Sequence, residues 1–316
     1  MIIVIFLMTV VGYIIIELPP GDFLTSLVSS LQASGFNVDQ AALESLKRQY
    51  GLDLPPYQRY LKWMGGLLKG DFGISMQWRR PVWDLLKERL ALTIVISTMS
   101  VIVTYLIAIP IGIYSATHQY SIFDYIFTAF GFLGIAMPTF LLALIFMFLA
   151  YKYFNISVMG LFSPSFQYAP WNLAKFIDML RHIWVPLIII SMSGTAGLIR
   201  IMRGCLLDEL SKPYVVTARA KGLPERRLLF KYPVRIAINP ILSTIGWTLP
   251  GIVSGESLAS IVLGLPTTGP LFLDALRNQD MYLAGANVVL VCTFTVIGMF
   301  ISDLLLVWAD PRIRYE

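Results

Sequence analysis

Six apolar runs without a charged side chain punctuate this sequence: Met1–Ile16, Leu92–Ala116, Tyr125–Tyr151, Ile183–Ile199, Ile241–Gly255 and Met281–Ser302. A hydrocarbon core takes about 20 helical residues to cross. The first run is slightly short of that, the second and third exceed it, and all are read as membrane helices. The chain is 57% hydrophobic and 14% charged with a mean hydropathy of +0.71, outside the range of ordinary soluble domains. The fold class is therefore an all-α polytopic membrane protein with six transmembrane helices. The net charge of +5 does not point to nucleic acid, because the basic residues cluster in loops beside apolar runs, as membrane topology requires.

The material between the runs is uneven. Gly21 to Arg89 mixes charges and carries helix signals. Asp39 caps a helix running to Tyr50 with Gly51 as its stop, Pro55-Pro56 opens a second that ends near Gly65-Gly66 or Gly70, and Pro81 opens a third ending in Leu90. These residues form a small helical domain outside the membrane. The expected division is a first membrane helix over 1–18, the helical domain over 19–91 and a five-helix core over 92–316 with a basic loop at 204–236.

Between Arg200 and Arg235 the basic residues Arg200, Arg203, Lys212, Arg219, Lys221, Arg226, Arg227, Lys231 and Arg235 face only Asp208, Glu209 and Glu225. The Arg312/Arg314 tail is also basic, whereas Glu256 to Asp280 is net acidic. With six spans both termini fall on one side, and this asymmetry places them, with the basic loop, in the cytoplasm.

Catalytic signatures are missing. There is no Gly-x4-Gly-Lys phosphate loop, no His-Glu-x-x-His and no Gly-x-Ser-x-Gly. Cys205 and Cys292 lie far apart and give no disulfide framework, and His118 and His182 are not clustered as metal ligands would be. The chain is not expected to be an enzyme or to hold a metal or cofactor. Charges sit at the ends of the runs: Glu17, Arg200, Glu256, Asp303. Glu256 is the exception of interest, since it follows a Gly/Pro-rich run with Pro250 and Gly251 and is the candidate pathway or gate residue. Asp303 is the expected partner of Arg200 or Arg203.

The basic loop reads as helix, glycine break, helix. Pro213 opens a first helix through Ala218 and Ala220 that stops at Gly222. Leu223 is exposed by position. Pro224 opens a second helix with Glu225 in its first turn, and Arg226 and Arg227 stand beside Leu228, Leu229 and Phe230. Such an amphipathic segment suits lipid headgroups or a groove on a partner protein, and the small residues around the break favour the partner.

Thr217-Ala-Arg-Ala-Lys-Gly-Leu-Pro-Glu-Arg-Arg227, followed by Asn239-Pro240, resembles the cytoplasmic loop of binding-protein-dependent ABC importer permeases. The strict family pattern has Glu and Ala where this chain has Val216 and Thr217, whereas Ala218 and Gly222 match, as in the peptide-importer branch. Tyr50-Gly-Leu-Asp, Tyr60-Leu, Gly70-Asp-Phe-Gly-x-Ser75, Asp280, Asp303 and Asp310-Pro-Arg-Ile-Arg-Tyr315 are similar to the B-type transmembrane subunit of dipeptide/oligopeptide permeases. Departures are Leu263-Gly-Leu-Pro-Thr-Thr-Gly269, Tyr232 where a histidine is common, and the lack of a basic start.

The resemblance implies the type I importer permease fold in a prokaryotic plasma membrane and half of a translocation pathway for peptides. It further implies a second permease subunit, two ATPase subunits that hold ATP and Mg, and an external solute-binding protein. In that reading Val216, Thr217, Ala218, Arg219, Ala220, Lys221, Gly222, Leu223, Pro224, Glu225, Arg226 and Arg227 dock into the ATPase. Oligosaccharides or nickel are the alternative cargoes. An ATP-independent channel or carrier and a membrane transferase are the rival classes, and the latter would need an acidic or histidine cluster at one membrane face.

Overall fold

The computed structural model describes residues 2–34, 40–155, 158–167, 169–245 and 257–309. They form helices joined by turns, and among them only an isolated bridge between Ile74 and Pro81 has extended pairing. The chain divides into two compact units, Met1–Thr93 with Thr267–Phe294, and Ile94–Pro266 with Thr295–Glu316.

In the first unit, α1 (Ile2–Glu17), α2 (Phe23–Ala33), α3 (Gln40–Tyr50), α4 (Pro56–Leu67) and α13 (Thr268–Arg277) surround one core with the first turns of α5 (Val82–Thr117) and α14 (Met281–Ala309). Pro55 in extended conformation, followed by Pro56 at the first helical position, starts α4. Gly51 and Gly70 follow α3 and α4 at φ +69° and +80°. Tyr13, Tyr60 and Trp63 stack in the interior. Arg59 reaches Glu17 at 2.9 Å, and Tyr13 donates to the Pro56 carbonyl at 2.9 Å. The helix opened at Pro81 does not end at Leu90. It continues to Thr117, because a change from charged to apolar side chains is not a backbone break, and Leu90-Ala-Leu92 contains no glycine or proline.

The second unit is built on α8 (Leu173–Leu210). Upon it pack α6 (Ile122–Ala136), α7 (Thr139–Phe154) and α11 (Pro233–Ala237). The spacing is set by small residues. A Cβ on Gly112 of α5 would lie 2.6 Å from Met202 Cβ, and one on Gly134 of α6 would lie 3.0 Å from Ala196 Cβ. Residues 239–245 are also helical, and α12 (Ser257–Val262) packs on α7. The net-acidic Glu256–Asp280 connection thus carries the two short helices α12 and α13.

Among the described residues, three helices are long and apolar enough to cross a membrane: Val82–Thr117, Leu173–Leu210 and Met281–Trp308. A fourth span is made if α6 and α7 count as one, bent by 110° between them. That bend lies inside the uncharged run Tyr125–Tyr151. Pro138 lacks an N–H and pushes the residue before it out of the helical region, and Met137 sits at φ −100°, ψ 127°. Helix α1 is apolar but only 16 residues long, and the run Ile241–Gly255 passes beyond the described residues after Ile245.

Candidate functional site

The loop after α8 is a compact structure of its own. Lys212 is extended and Pro213 occupies the first turn of α9 (Pro213–Ala220). Its end is closed by two bonds, from the Gly222 N–H to Arg219 O at 3.0 Å and from the Leu223 N–H to Ala218 O at 3.4 Å. This is the Schellman arrangement, which needs a left-handed residue at the position Gly222 fills with φ +76°. Pro224, extended, then opens α10 (Glu225–Lys231), and Tyr232 turns the chain into α11.

Val215, Ala218 and Leu228 are buried together, with Tyr214, Leu223 and Tyr232 packed against them. Leu223, expected to be exposed, is therefore half-buried: the turn folds it back over Ala218, the hydrophobic contact that accompanies this kind of helix end. Tyr214 donates its hydroxyl to Glu209 in the last turn of α8. Burial, then that carboxylate, raises the Tyr214 pKa. Arg219 grips Glu225 across the glycine turn with two hydrogen bonds of 2.5 and 3.1 Å, and these hold the Glu225 carboxyl below its ordinary range.

With its interior satisfied internally, the loop turns its remaining groups outward. Val216 is 55% exposed, and Thr217, Arg219, Ala220, Lys221, Gly222, Pro224, Glu225, Arg226 and Arg227 are exposed as well. Of the twelve candidate residues only Ala218 and Leu223 are withdrawn. The other candidates, Pro250, Gly251 and Glu256, lie outside the described residues, as do Asp39 and the tail from Asp310.

Two buried carboxylates make contacts that no spacing in the sequence announces. Arg203, expected alongside Arg200 as a partner of Asp303, binds Asp124 through Nε and Nη2, both at 3.2 Å. Asp124 is buried near the start of α6, where its N–H donates to Ser121 Oγ and its carboxylate accepts from the Tyr120 N–H. The Ser121-x-x-Asp124 spacing is a helix-start signal that marks the carboxylate's place, though not its partner 79 residues away. In the first unit, Asp280 is fully buried. It accepts from Ser75 Oγ at 2.5 Å, the Gln77 N–H at 3.1 Å and the Leu283 N–H at 3.2 Å. Burial raises its pKa although these donors favour the charged form. Ser75 and Asp280 both belong to the motifs quoted for the resemblance, and the fold brings them together.

Apolar helices of spanning length and an exposed charged loop between them define a polytopic membrane protein. Residues 108–315 match the family described as "Binding-protein-dependent transport system inner membrane component". The chain is 33% identical over 309 residues to the oligopeptide transport system permease protein AppB of Bacillus subtilis, covering 97% of this chain and 94% of that one. It is 28% identical to the dipeptide transport system permease protein DppB of Escherichia coli K12, covering 98% and 94%. It is 31% identical to the peptidoglycan transport system permease protein YejB of Agrobacterium fabrum, covering 88% and 78%. The chain belongs to this family of inner-membrane transport components and is a multi-pass permease.

Proposed function

We propose that this chain is one of two transmembrane subunits of an ATP-binding-cassette importer for peptides, and that Val216–Arg227 transmits the motion of the ATPase subunits to the spans. The observation that carries the docking assignment is the loop's construction. Its own side chains fill its interior, and a run of small, basic and apolar groups around the Gly222 turn faces outward. Peptides are the cargo because the relatives above bear peptide-transport names. ATP and Mg belong to the partner ATPases, a solute-binding protein delivers the cargo outside, and both termini face the cytoplasm with the loop.

In this mechanism ATP draws the two ATPases together and α9, seated on one of them, moves with it. The Tyr214–Glu209 bond, and the packing of α9 on α10, α10 on α11 and α11 on α8, pass that displacement to α8, and alternating access follows in the spans. The test is uptake and ATP hydrolysis measured together in vesicles holding the whole transporter. Gly222→Val is expected to leave assembly intact and to lower the uptake obtained per ATP hydrolysed. Unchanged coupling in a correctly assembled Gly222→Val transporter would remove the docking assignment, and a ligand screen on the cognate binding protein that returned sugars or nickel would remove peptides.

A further inference from the structure

We infer that the return arm of the loop, Phe230 to Ile236, is a contact surface for anionic lipid headgroups. This rests on the chain's being an embedded permease and is independent of whether α9 docks an ATPase. Helix α10 buries Leu228 completely and packs Leu229 against the unit's core. At 100° per residue, Arg226, Arg227, Phe230 and Lys231 share the opposite arc, and all four are exposed. Helix α11 repeats the design: Pro233, Val234 and Ala237 are buried, while Arg235 and Ile236 face out. Phe230 is 54% and Ile236 41% exposed. Both short helices thus set a large apolar side chain among cations, the composition of a helix lying in a bilayer interface.

Three further observations select lipid over a protein groove. First, the chain enters the next apolar run within a few residues: Ile241, fully buried, joins Val234 and Ala237 in one cluster with Met202 and Leu206 of the spanning helix α8. The arm is therefore anchored against a membrane-crossing helix. Second, Glu225 is the sole carboxylate between residues 225 and 240, and Arg219 already occupies it. Third, Arg226, Arg227, Lys231 and Arg235 form no ion pair among the described residues. Lys231 Nζ rests 5.4 Å from the centroid of the Tyr232 ring, which leaves its charge available to a phosphate. The complement of this surface is a sheet of phosphodiesters with an apolar layer beneath it. Arg226 and Arg227 lie at the edge shared with the docking segment; Phe230, Lys231, Arg235 and Ile236 lie outside that segment.

The experiment uses the whole transporter in nanodiscs of phosphatidylcholine with or without phosphatidylglycerol. A fluorophore is placed at Phe230→Cys in a Cys205→Ser/Cys292→Ser background. Nitroxide lipids that quench at headgroup depth are expected to quench it, more strongly when phosphatidylglycerol is present. Lys231→Gln/Arg235→Gln should weaken the preference for phosphatidylglycerol by about fivefold per charge removed while the ATPase subunits still co-purify. Native mass spectrometry of retained lipids on the unlabelled protein gives a second reading, so a labelled variant that folds poorly does not decide the matter. Protection of the label by the ATPases with no lipid quenching would assign the arm to protein and overturn the proposal. Quenching indifferent to phosphatidylglycerol and to the double variant would also overturn it. Loss of coupling in Gly222→Val tests the docking reading and leaves this one untouched.

Discussion

Asp280 and Glu225 are both carboxylates that tie two pieces of chain together, in opposite surroundings. Asp280 is fully buried in the first unit, where it meets a hydroxyl and two backbone N–H groups. Glu225 lies at the surface of the basic loop and meets one guanidinium across a glycine turn. The first contact can be removed only by leaving donors stranded away from water. The second can be exchanged for water or another partner at small cost. Groups that fix the fold are enclosed here, and groups free to meet a partner are held loosely, so the two carboxylates separate architecture from function more sharply than motif membership does.

The largest expected effect tests the enclosed side. Asp280→Ala strands Ser75 Oγ, the Gln77 N–H and the Leu283 N–H, and at the cost typical of unpaired buried groups it should destabilise the protein by about 3 to 5 kcal/mol. Asp280→Asn should cost about half as much, because one amide oxygen can still serve Ser75 and Gln77 and only the Leu283 bond is lost. Thermal unfolding of the purified protein in detergent measures both. Equal behaviour of Ala and Asn would mean that the second carboxylate oxygen, and not the side chain's volume, carries the stability. Next in size is Arg203→Ala, which takes the guanidinium from the buried Asp124 and leaves it the Tyr120 N–H and the nearby Ser115 hydroxyl. Arg203 is itself 30% exposed, so water replaces part of what is removed, and the loss should be about 2 kcal/mol by the same assay.

Much of this molecule is legible in the sequence, for local reasons. Pro213 and Pro224 fix φ by their rings and Gly222 admits the left-handed region that closes the turn, and the helix–turn–helix of the loop follows from them almost residue by residue. Pro138 likewise announces the break between α6 and α7. The failures are of two kinds. Standing at a span end makes Asp303 a partner for Arg200 or Arg203, yet the pairing of Arg203 with Asp124 depends on which helices meet, and the close approach at Gly134 and Ala196 puts α6 beside α8. The helix opened at Pro81 is expected to end at Leu90, although the backbone has no reason to stop there. For the candidate site, the loop's position and its small residues were readable. The burial of Leu223 was not, since it depends on a six-residue bond back to Ala218.

A substitution at Gly222 moves the comparison to the exposed side. A Cβ there meets nothing within 4 Å, so the whole cost lies in the left-handed backbone at φ +76°. A β-branched residue resists that region, and Gly222→Val should cost about 1 to 2 kcal/mol locally, enough to reshape the turn without unfolding the spans. Gly222→Asn, which tolerates the left-handed region, should fall between Val and wild type in uptake per ATP. If Asn and Val were equally damaging, contact with a partner surface rather than backbone strain would be limiting at this position.

The smallest effect belongs to Glu225. Its carboxyl is depressed by Arg219, so the stabilisation this pair gives the turn is complete above the ordinary glutamate pKa and is lost as pH falls through the lowered value. Both side chains are at least half exposed, and added salt should therefore weaken the pair at neutral pH too. A spin label at Lys221→Cys in a background lacking Cys205 and Cys292 reports the turn's mobility. Mobility should rise modestly on acidification and on adding salt, and Glu225→Gln should show the raised mobility at neutral pH with little further response to either. A wild-type turn indifferent to both would show that Gly222 and the buried Val215, Ala218 and Leu228 hold the loop by themselves. The Arg219 guanidinium would then be free in effect to meet a carboxylate elsewhere, and the exposed carboxylate of this pair would differ from Asp280 in having no structural duty at all.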